Sequence, residues 1–385
     1  MGTQTNVWRA KMRFLHTGDW HIGKHLAGYN LLADQHATFE KIRQIAKEEQ
    51  VDAMVIAGDL YDRTIPSEAA TRELTSELAE LNIHDQLPIF AISGNHDSAT
   101  RLGVGSQWFT SNDFYLNTKF SQAFAPIEFA DTQLFLLPFF GLQEVRNYFA
   151  DDQIKDINTA MKKIVTAMKK RFVDGKRHVL VAHFFAAGSQ RTADSETMIE
   201  VGGLSAVNTD LLTDFDYVAL GHLHNKNALQ EARIKYSGSP MKFSVSEANM
   251  EKGVWIVDTA PFDIRWVELP AIHEIHVIES SMDQLTDPTF ATQYPKEDYY
   301  AIKLTDRQII PDVMNRLRQY YPQIISLGRK YGFAGPHENY HHLNQRQSPK
   351  QLFANFFEKT VGTKLNAEQE KIVDTTLAEM QKEDR

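Results

Sequence analysis

At 385 residues, with 42% hydrophobic and 24% charged side chains, the chain is long enough for two or three domains, each with its own core. Its net charge of −9 excludes nucleic-acid binding by bulk charge, so any such contact is local or draws positive charge from a metal or a partner. The absence of cysteine excludes disulfides, thiolate metal sites and a cysteine nucleophile, and with no apolar run of about 18 residues no membrane span is expected. Residues 1–11 are polar and lack the apolar stretch of a signal peptide, so a cytoplasmic protein whose fold starts at Met12 is expected.

Short apolar runs at 12–16, 53–59, 89–94, 134–138, 178–184 and 217–222 read as buried strands bounded by turn residues. Between them, ADQHATFEKIRQIAKEEQ, EAATRELTSELAEL and IKDINTAMKKIVTAMKKRF carry apolar residues at helical spacing. This alternation predicts an α/β layered sheet. From about 230 the pattern turns to strands: ARIKYSG, FSVSEA, GVWIVDT and DIRWVELP. A second unit begins near Pro270, where HEIHVIE, DYYAIKLTD, PDVMNRLRQYY and QIISLGRKY read as strand, strand, helix, strand, a small α+β module. Ser348 as N-cap with Pro349 after it starts a helix carrying Leu352, Phe353, Phe356 and Phe357. Asn366 caps a last one with Ile372, Val373, Leu377 and Met380 on one side. Helices this short need a surface to pack on, either their own domain or a partner.

The chemistry lies just after the strands. "GDWHIGKH" offers Asp19 and His21, "GDLYD" Asp59, "GNHD" Asn95 and His96, "VAHF" His183 and "GHLH" His222 and His224. Each has a bland reading: Asp19 as a helix cap, GDLYD as a turn, His183 as a core histidine. Asn, His and Asp in a row behind a buried strand have no packing rationale, and the two GHLH imidazoles share one side of an extended segment. Their joint occurrence, each behind an apolar strand, predicts one shared metal site at the strands' carboxyl ends. Gly18, Gly58, Gly94 and Gly221 precede the polar residues and are expected to make the sharp turns. Carboxylate, amide and imidazole donors without sulfur suit Mn²⁺, Fe²⁺ or Zn²⁺, and seven candidates exceed one tetrahedral shell, so two ions are expected. Two ions bridged by one carboxylate form the clamp used for phosphate-ester hydrolysis. Asp97 reads as a carboxylate that fixes the turn or a neighbouring imidazole. Lys24, His25, Arg63 and Arg101, close to these motifs, are candidates for phosphate contacts, with plain surface charge as the alternative.

The ordered set DxH…GDxxD…GNHD…H…GHxH resembles the calcineurin-like metallophosphoesterase superfamily over roughly residues 12–225. The resemblance implies a β-sandwich flanked by helices. It also implies one metal held by Asp19, His21, Asp59 and His224, and a second held by Asn95, His183 and His222 with Asp59 as the bridge. His96 matches the position that faces the substrate and protonates the leaving oxygen, and Asp62 the position that orients His96. Within the superfamily, "GDLYDRTIPSEAA", "GNHDSATRL" and "YSGSPMKFSVSE" are similar to the SbcD family of nuclease subunits. That likeness implies a nuclease domain at 12–270, a DNA-capping α+β domain at 271–345 and a helical segment at 346–385 docking on an SbcC-like coiled-coil ATPase. It further implies a Mn²⁺-dependent DNA exonuclease and endonuclease acting on double-strand ends and hairpins in replication, recombination and repair, as a homodimer within a heterotetramer. "GDLYDRT" also comes close to the GDxxDRG motif of Ser/Thr protein phosphatases, although Thr64 replaces the last glycine and GNHD stands where they have GNHE. The alternative is therefore a metallophosphoesterase acting on cyclic nucleotides or phosphoproteins.

Overall fold

The computed structural model describes residues 11–190, 206–331, 349–361 and 364–383; Ser348 and the expected boundary at 345–346 lie outside them. Two compact units divide the chain: Met1–Asp306 with Ile310–Lys330, and Arg307–Ile309 with Tyr331–Arg385.

The first unit is built on two stacked sheets. The chain lays down β1 (Arg13–Thr17), β2 (Ala53–Ile56), β3 (Ile89–Ile92) and β4 (Phe114–Asn117) as parallel neighbours. It then crosses to a second sheet, β5 (Ile127–Phe129), β6 (Thr132–Leu137), β7 (Arg177–His183), β8 (Tyr217–Gly221) and β9 (Ile234–Tyr236). It returns as β10 (Gly253–Thr259) and β11 (Phe262–Glu268), which pair antiparallel to give the order β11-β10-β1-β2-β3-β4. The second sheet runs β9-β8-β7-β6-β5, parallel except for its last pair.

Side-chain alternation along the strands sorts the core into three layers. In β2, Ala53 and Val55 point between the sheets, where they meet Phe14, Phe90, Leu136, Val181 and Tyr217. Met54 and Ile56 point outward against Phe39, Ile42 and Ala46 of helix Leu32–Glu48 and Ala70 and Leu74 of helix Glu68–Ala79. On the far face, Phe135, Leu180 and Val218 pack on Met161, Ile164 and Met168 of helix Ile157–Lys169. The flanking helices start where the sequence places oxygen caps: Ser67 accepts from Ala70 N–H, and Asp156 from Asn158 and Thr159 N–H. With both sheet faces covered, the strands read as continuous apolar runs, and the α/β architecture is the helix-flanked β-sandwich rather than one open sheet.

FSVSEA departs from its expected strand. Val245–Glu247 forms a 3₁₀ turn, because Ser244 Oγ donates to Glu247 Oε1 at 3.1 Å and lies 2.7 Å from Ser246 Oγ. Local side-chain bonds here replace a strand ladder.

Three parallel strands, β12 (Ile275–Ser280), β13 (Tyr299–Leu304) and β14 (Gln323–Arg329), with helix Val313–Arg318, form a small module around Ile302, Leu317 and Tyr321. It meets the sandwich through Leu26, Leu31 and Phe243 against Ile275 and Tyr299. At the same seam Asp34, in the first turn of helix Leu32–Glu48, accepts from His273 at 3.0 Å and from Tyr299 Oη at 3.4 Å.

In the second unit, helices Pro349–Val361 and Ala367–Glu383 are linked by Lys350 Nζ to Asp374 Oδ2 at 2.7 Å. Asn366 caps the latter reciprocally with Gln369. No helix among the described residues is long and apolar enough to cross a membrane.

Candidate active site

The candidate ligands follow the carboxyl ends of strands from both sheets: Asp19 and His21 after β1, Asp59 after β2, Asn95 and His96 after β3, His183 at the end of β7, and His222 and His224 after β8. Their loops are knitted through backbone bonds, Asp19 N–H donating to Gly58 O at 3.0 Å and His21 N–H to Asp59 O at 2.9 Å. Asp19, His21, Asp59 and His222 have φ of 53°, 47°, 51° and 97°. Side chains rarely adopt this left-handed region, and each such residue costs about 1–3 kcal/mol of strain. The turns are therefore made largely by the candidate ligands themselves. Of the four expected turn glycines, Gly58 has positive φ, whereas Gly94 and Gly221 are needed for close approach. A Cβ on Gly94 would overlap the Asp59 backbone and carboxylate, and one on Gly221 the Ala57 carbonyl.

Tautomers follow from fixed acceptors. His183 Nδ1 lies 2.8 Å from the Ala57 carbonyl and must donate to it, leaving Nε2 as a lone pair. That Nε2 faces two further acceptors, Asn95 Oδ1 at 2.9 Å and Asp59 Oδ2 at 3.3 Å. His222 Nδ1 lies 3.0 Å from the same Asn95 oxygen, while the His222 N–H donates to Asp19. On the other side, His224 Nδ1 lies 3.3 Å from Glu247 Oε1, so its Nε2 faces His21 Nε2, 3.1 Å away. Asp59 Oδ2 is 3.7 Å from that His21 Nε2, so a single carboxylate oxygen faces both groups. Lone pairs this close need a proton or a cation between them.

The electrostatics agree. Burial would lower the His183 imidazole, but the charge and hydrogen bond of Asp59, the charge of Asp19 and the Ala57 carbonyl lift it to about 9. Burial would raise Asp59, yet His183 first, then His21 and His96, hold it well below the usual carboxylate range. Burial, followed by the charge of His183, pushes His222 down to about 3. A cluster that forces a proton onto a buried imidazole is short of positive charge.

Comparison with known proteins matches the calcineurin-like phosphoesterase family to residues 12–226 and the family described as "Type 5 capsule protein repressor C-terminal domain" to residues 272–361. The chain is 36% identical over 350 residues to the SbcD subunit of the SbcCD nuclease from Staphylococcus epidermidis, covering 90% of this chain and 92% of that one. It belongs to the SbcD family of calcineurin-like phosphoesterases. Solved structures resemble it more distantly. A Thermus thermophilus protein (TM-score 0.41, 10% identity) covers 68% of this chain and 100% of its own. A dimetal phosphatase from Danio rerio (TM-score 0.40, 11% identity) covers 67% and 99%.

A calcineurin-like fold implies divalent metals, and the SbcD-family donor set fits them. Ligands at about 2.0–2.2 Å from one ion lie roughly 3.0–3.5 Å from each other. The 2.9, 3.1 and 3.3 Å separations of the facing donors match that spacing. Donor atoms of Asp19, Asp59 and His183 lie within 4.8 Å of one another, as do those of His21, Asp59 and His96. Asp19, expected with His21 and His224, thus also stands beside His183, and the two sets form one continuous cluster around Asp59.

The remaining candidates separate. His96 Nδ1 donates to a backbone oxygen, that of Asp62, at 2.8 Å, while the Asp62 carboxylate takes Lys24 Nζ at 2.7 Å. Asp62, expected to orient His96, meets it through its backbone carbonyl. Asp97 is a turn clamp, accepting from Gly94 N–H at 2.9 Å, Leu60 N–H at 3.1 Å and Tyr61 N–H at 2.9 Å. Burial first, then repulsion from Asp59, raise its carboxyl to about 6 against these three donors. Among the expected DNA contacts, Arg63 is 77% exposed and His25 and Arg101 are exposed, whereas Lys24 is largely committed to Asp62.

Sequence reasoning missed the support behind His224. Glu247 and Lys252 are buried, paired with each other, and Lys252 Nζ also donates to His224 O at 2.9 Å and Ser239 Oγ at 2.7 Å. The signal was present in YSGSPMKFSVSE, whose final glutamate is Glu247, but only the fold reveals its partner.

Proposed function

We propose that this chain hydrolyses DNA phosphodiester bonds with two divalent ions, Mn²⁺ being the expected metal, in the manner of an SbcD nuclease subunit. The observation that carries the reading is the one Asp59 oxygen facing both groups of donors, with His96 beside them. Asp19, His21, Asp59 and His224 would hold one ion, and Asp59, Asn95, His183 and His222 the other. Bound ions supply Lewis acidity, neutralising phosphoryl oxygens and activating water at neutral pH. The chain's own residues do the rest. Asp59 fixes the spacing of the two donor sets, and its Oδ1 accepts from His96 N–H at 2.8 Å, tying the catalyst to the bridge. With Nδ1 held by the Asp62 carbonyl, His96 Nε2 would be the atom that delivers a proton to the leaving oxygen. Glu247 keeps the His224 proton on Nδ1.

On this reading residues 12–270 are the nuclease domain, 271–345 cap bound DNA, and 346–385 dock on an SbcC-like coiled-coil ATPase. Exposed Phe353, Phe356 and Ile372 suit a helix-in-groove contact. The assembly would be a homodimer of this chain within a heterotetramer, acting on DNA ends and hairpins in the cytoplasm. His25, Arg63 and Arg101 would reach phosphates, and Lys24 only weakly. The test is Mn²⁺-dependent cleavage of hairpin DNA against a cyclic nucleotide and a phosphopeptide, with His96→Asn beside wild type. Hairpin cleavage lost in a variant that retains its metal, with a rate drop of about 10²–10⁴, is expected. Activity on the phosphopeptide or cyclic nucleotide alone overturns the nuclease reading. Metal loss from His96→Asn makes His96 a ligand instead.

A further inference from the structure

Away from the active site, one buried carboxylate has no evident reason to be where it is. Helix Glu68–Ala79 turns Ala70 and Leu74 into the core, and Leu81 continues the same apolar stripe. Glu77 falls within that stripe and is 1% exposed. Neither of its oxygens has a hydrogen-bond donor among the described residues. A bare carboxylate in an apolar layer is strongly disfavoured unless a proton or a cation neutralises it.

The neighbours are those of a ligand set. Glu73 lies one turn before Glu77, and His36 of helix Leu32–Glu48 faces both, its Nδ1 2.8 Å from Glu73 Oε1. Ligand atoms of His36, Glu73 and Glu77 lie within 4.8 Å of one another. The His36 side chain is 56% exposed, so the cluster opens to water on one side and is closed by Glu77 on the other. Burial first, then the charge of Glu73, a hydrogen bond to it when Glu77 is protonated, and the charge of Glu40 push the Glu77 carboxyl up to about 9. A shared proton would satisfy the two carboxyls. It would give His36 no role in reaching Glu77.

We propose that His36, Glu73 and Glu77 bind one divalent transition cation that ties helix Leu32–Glu48 to helix Glu68–Ala79, separate from the active site. Two carboxylates and one imidazole, with positions open to water, suit Mn²⁺ or Zn²⁺. The place gives such a cation leverage. Gln35, next to His36, holds the loop carrying His21: its Nε2 donates to Trp20 O at 3.1 Å and His21 O at 2.8 Å, and its Oε1 accepts from Gly23 N–H at 3.0 Å. Asp34, one residue earlier, anchors His273 and Tyr299 of the following module. Fixing this end of the helix therefore steadies both an active-site loop and the seam beneath it.

Ion stoichiometry tests the proposal on the full chain, by equilibrium dialysis against Mn²⁺ or Zn²⁺ followed by elemental analysis. His36→Ala and Glu77→Gln should each bind one ion fewer per chain than wild type. The same loss should recur in an Asp59→Asn background, which makes it independent of the active-site reading. The cation-dependent rise in melting temperature that persists in Asp59→Asn should vanish when His36→Ala is added. His36→Ala alters a half-exposed side chain, so it carries the test if Glu77→Gln fails to fold. Equal ion counts in wild type and His36→Ala overturn the proposal and leave Glu77 as a protonated acid paired with Glu73.

Discussion

The support behind His224 makes the sharpest test of the site. Glu247 and Lys252 are 0% and 4% exposed at their side chains and share one buried ion pair. Replacing Glu247 by Gln keeps the shape and an oxygen for His224 Nδ1, but leaves the Lys252 ammonium buried with only Ser239 Oγ and the His224 carbonyl. Removing one partner of a buried pair costs about 3–5 kcal/mol, and the retained amide places this variant near the lower end, about 3 kcal/mol. At roughly 2–4 °C per kcal/mol, the melting temperature should fall by roughly 6–12 °C. Adding Lys252→Met removes the stranded charge and should restore most of the loss, giving a favourable coupling of roughly 2 kcal/mol. With His224 less firmly oriented, Mn²⁺ affinity should drop about 10–100-fold. The pH dependence has a definite sign. Burial would raise Glu247, but the charge of Lys252 and the hydrogen bond and charge of His224 hold it well below its ordinary value. Its stabilisation is thus fully present above the unfolded carboxyl's value of about 4.3 and is lost as pH falls toward the folded one, so the acid limb should flatten in Glu247→Gln. Thermal scans from pH 3 to 7 with a Mn²⁺ titration read all of this. A single variant that melts within about 2 °C of wild type with unchanged Mn²⁺ binding would refute the reasoning.

Gly94→Ala changes no polar group, yet its methyl would overlap Asp59, so metal content and cleavage should both collapse while the far-ultraviolet spectrum stays native. Asp97→Ala strands the N–H groups of Gly94, Leu60 and Tyr61, and at about 1–3 kcal/mol for each buried donor it should lose at least 3 kcal/mol in urea unfolding. Glu77 is raised from its ordinary carboxylate value to about 9, so the native state holds a proton that the unfolded chain has released. With divalent cations removed, Glu77 should therefore contribute a loss of stability as pH rises from about 4.5 to 9, by at most about 1.4 kcal/mol per pH unit, and Glu77→Gln should remove that contribution from the slope. Asp34→Asn weakens the bond to His273 at the module seam, and faster amide exchange around Ile275 and Tyr299 than in wild type is expected.

By itself the sequence determined where the chemistry sits. Asp19, Asp59, Asn95, His183 and His222 each follow an apolar run, and β-strands that bury both faces leave polar groups nowhere to go but the strand ends. It likewise determined the main helices, whose apolar spacing and caps at Ser67, Asp156 and Asn366 are local properties. Which sheet a strand joins was not local. The run at 53–56 is apolar whether its inner face meets another sheet or a helix, and only assembly put Val55 against Val181. FSVSEA had the composition of a strand and became a turn because Ser244 found Glu247. Asp62 was legible as a carboxylate near His96, yet its carbonyl acts there, since a sequence spells out side chains and not the direction of a backbone oxygen. Glu247 and Lys252 meet His224 across 23 and 28 residues. Burial, which makes such partners strong, is created only when distant segments close over them; the sequence can name the groups, but the tertiary structure decides which of them face one another without water.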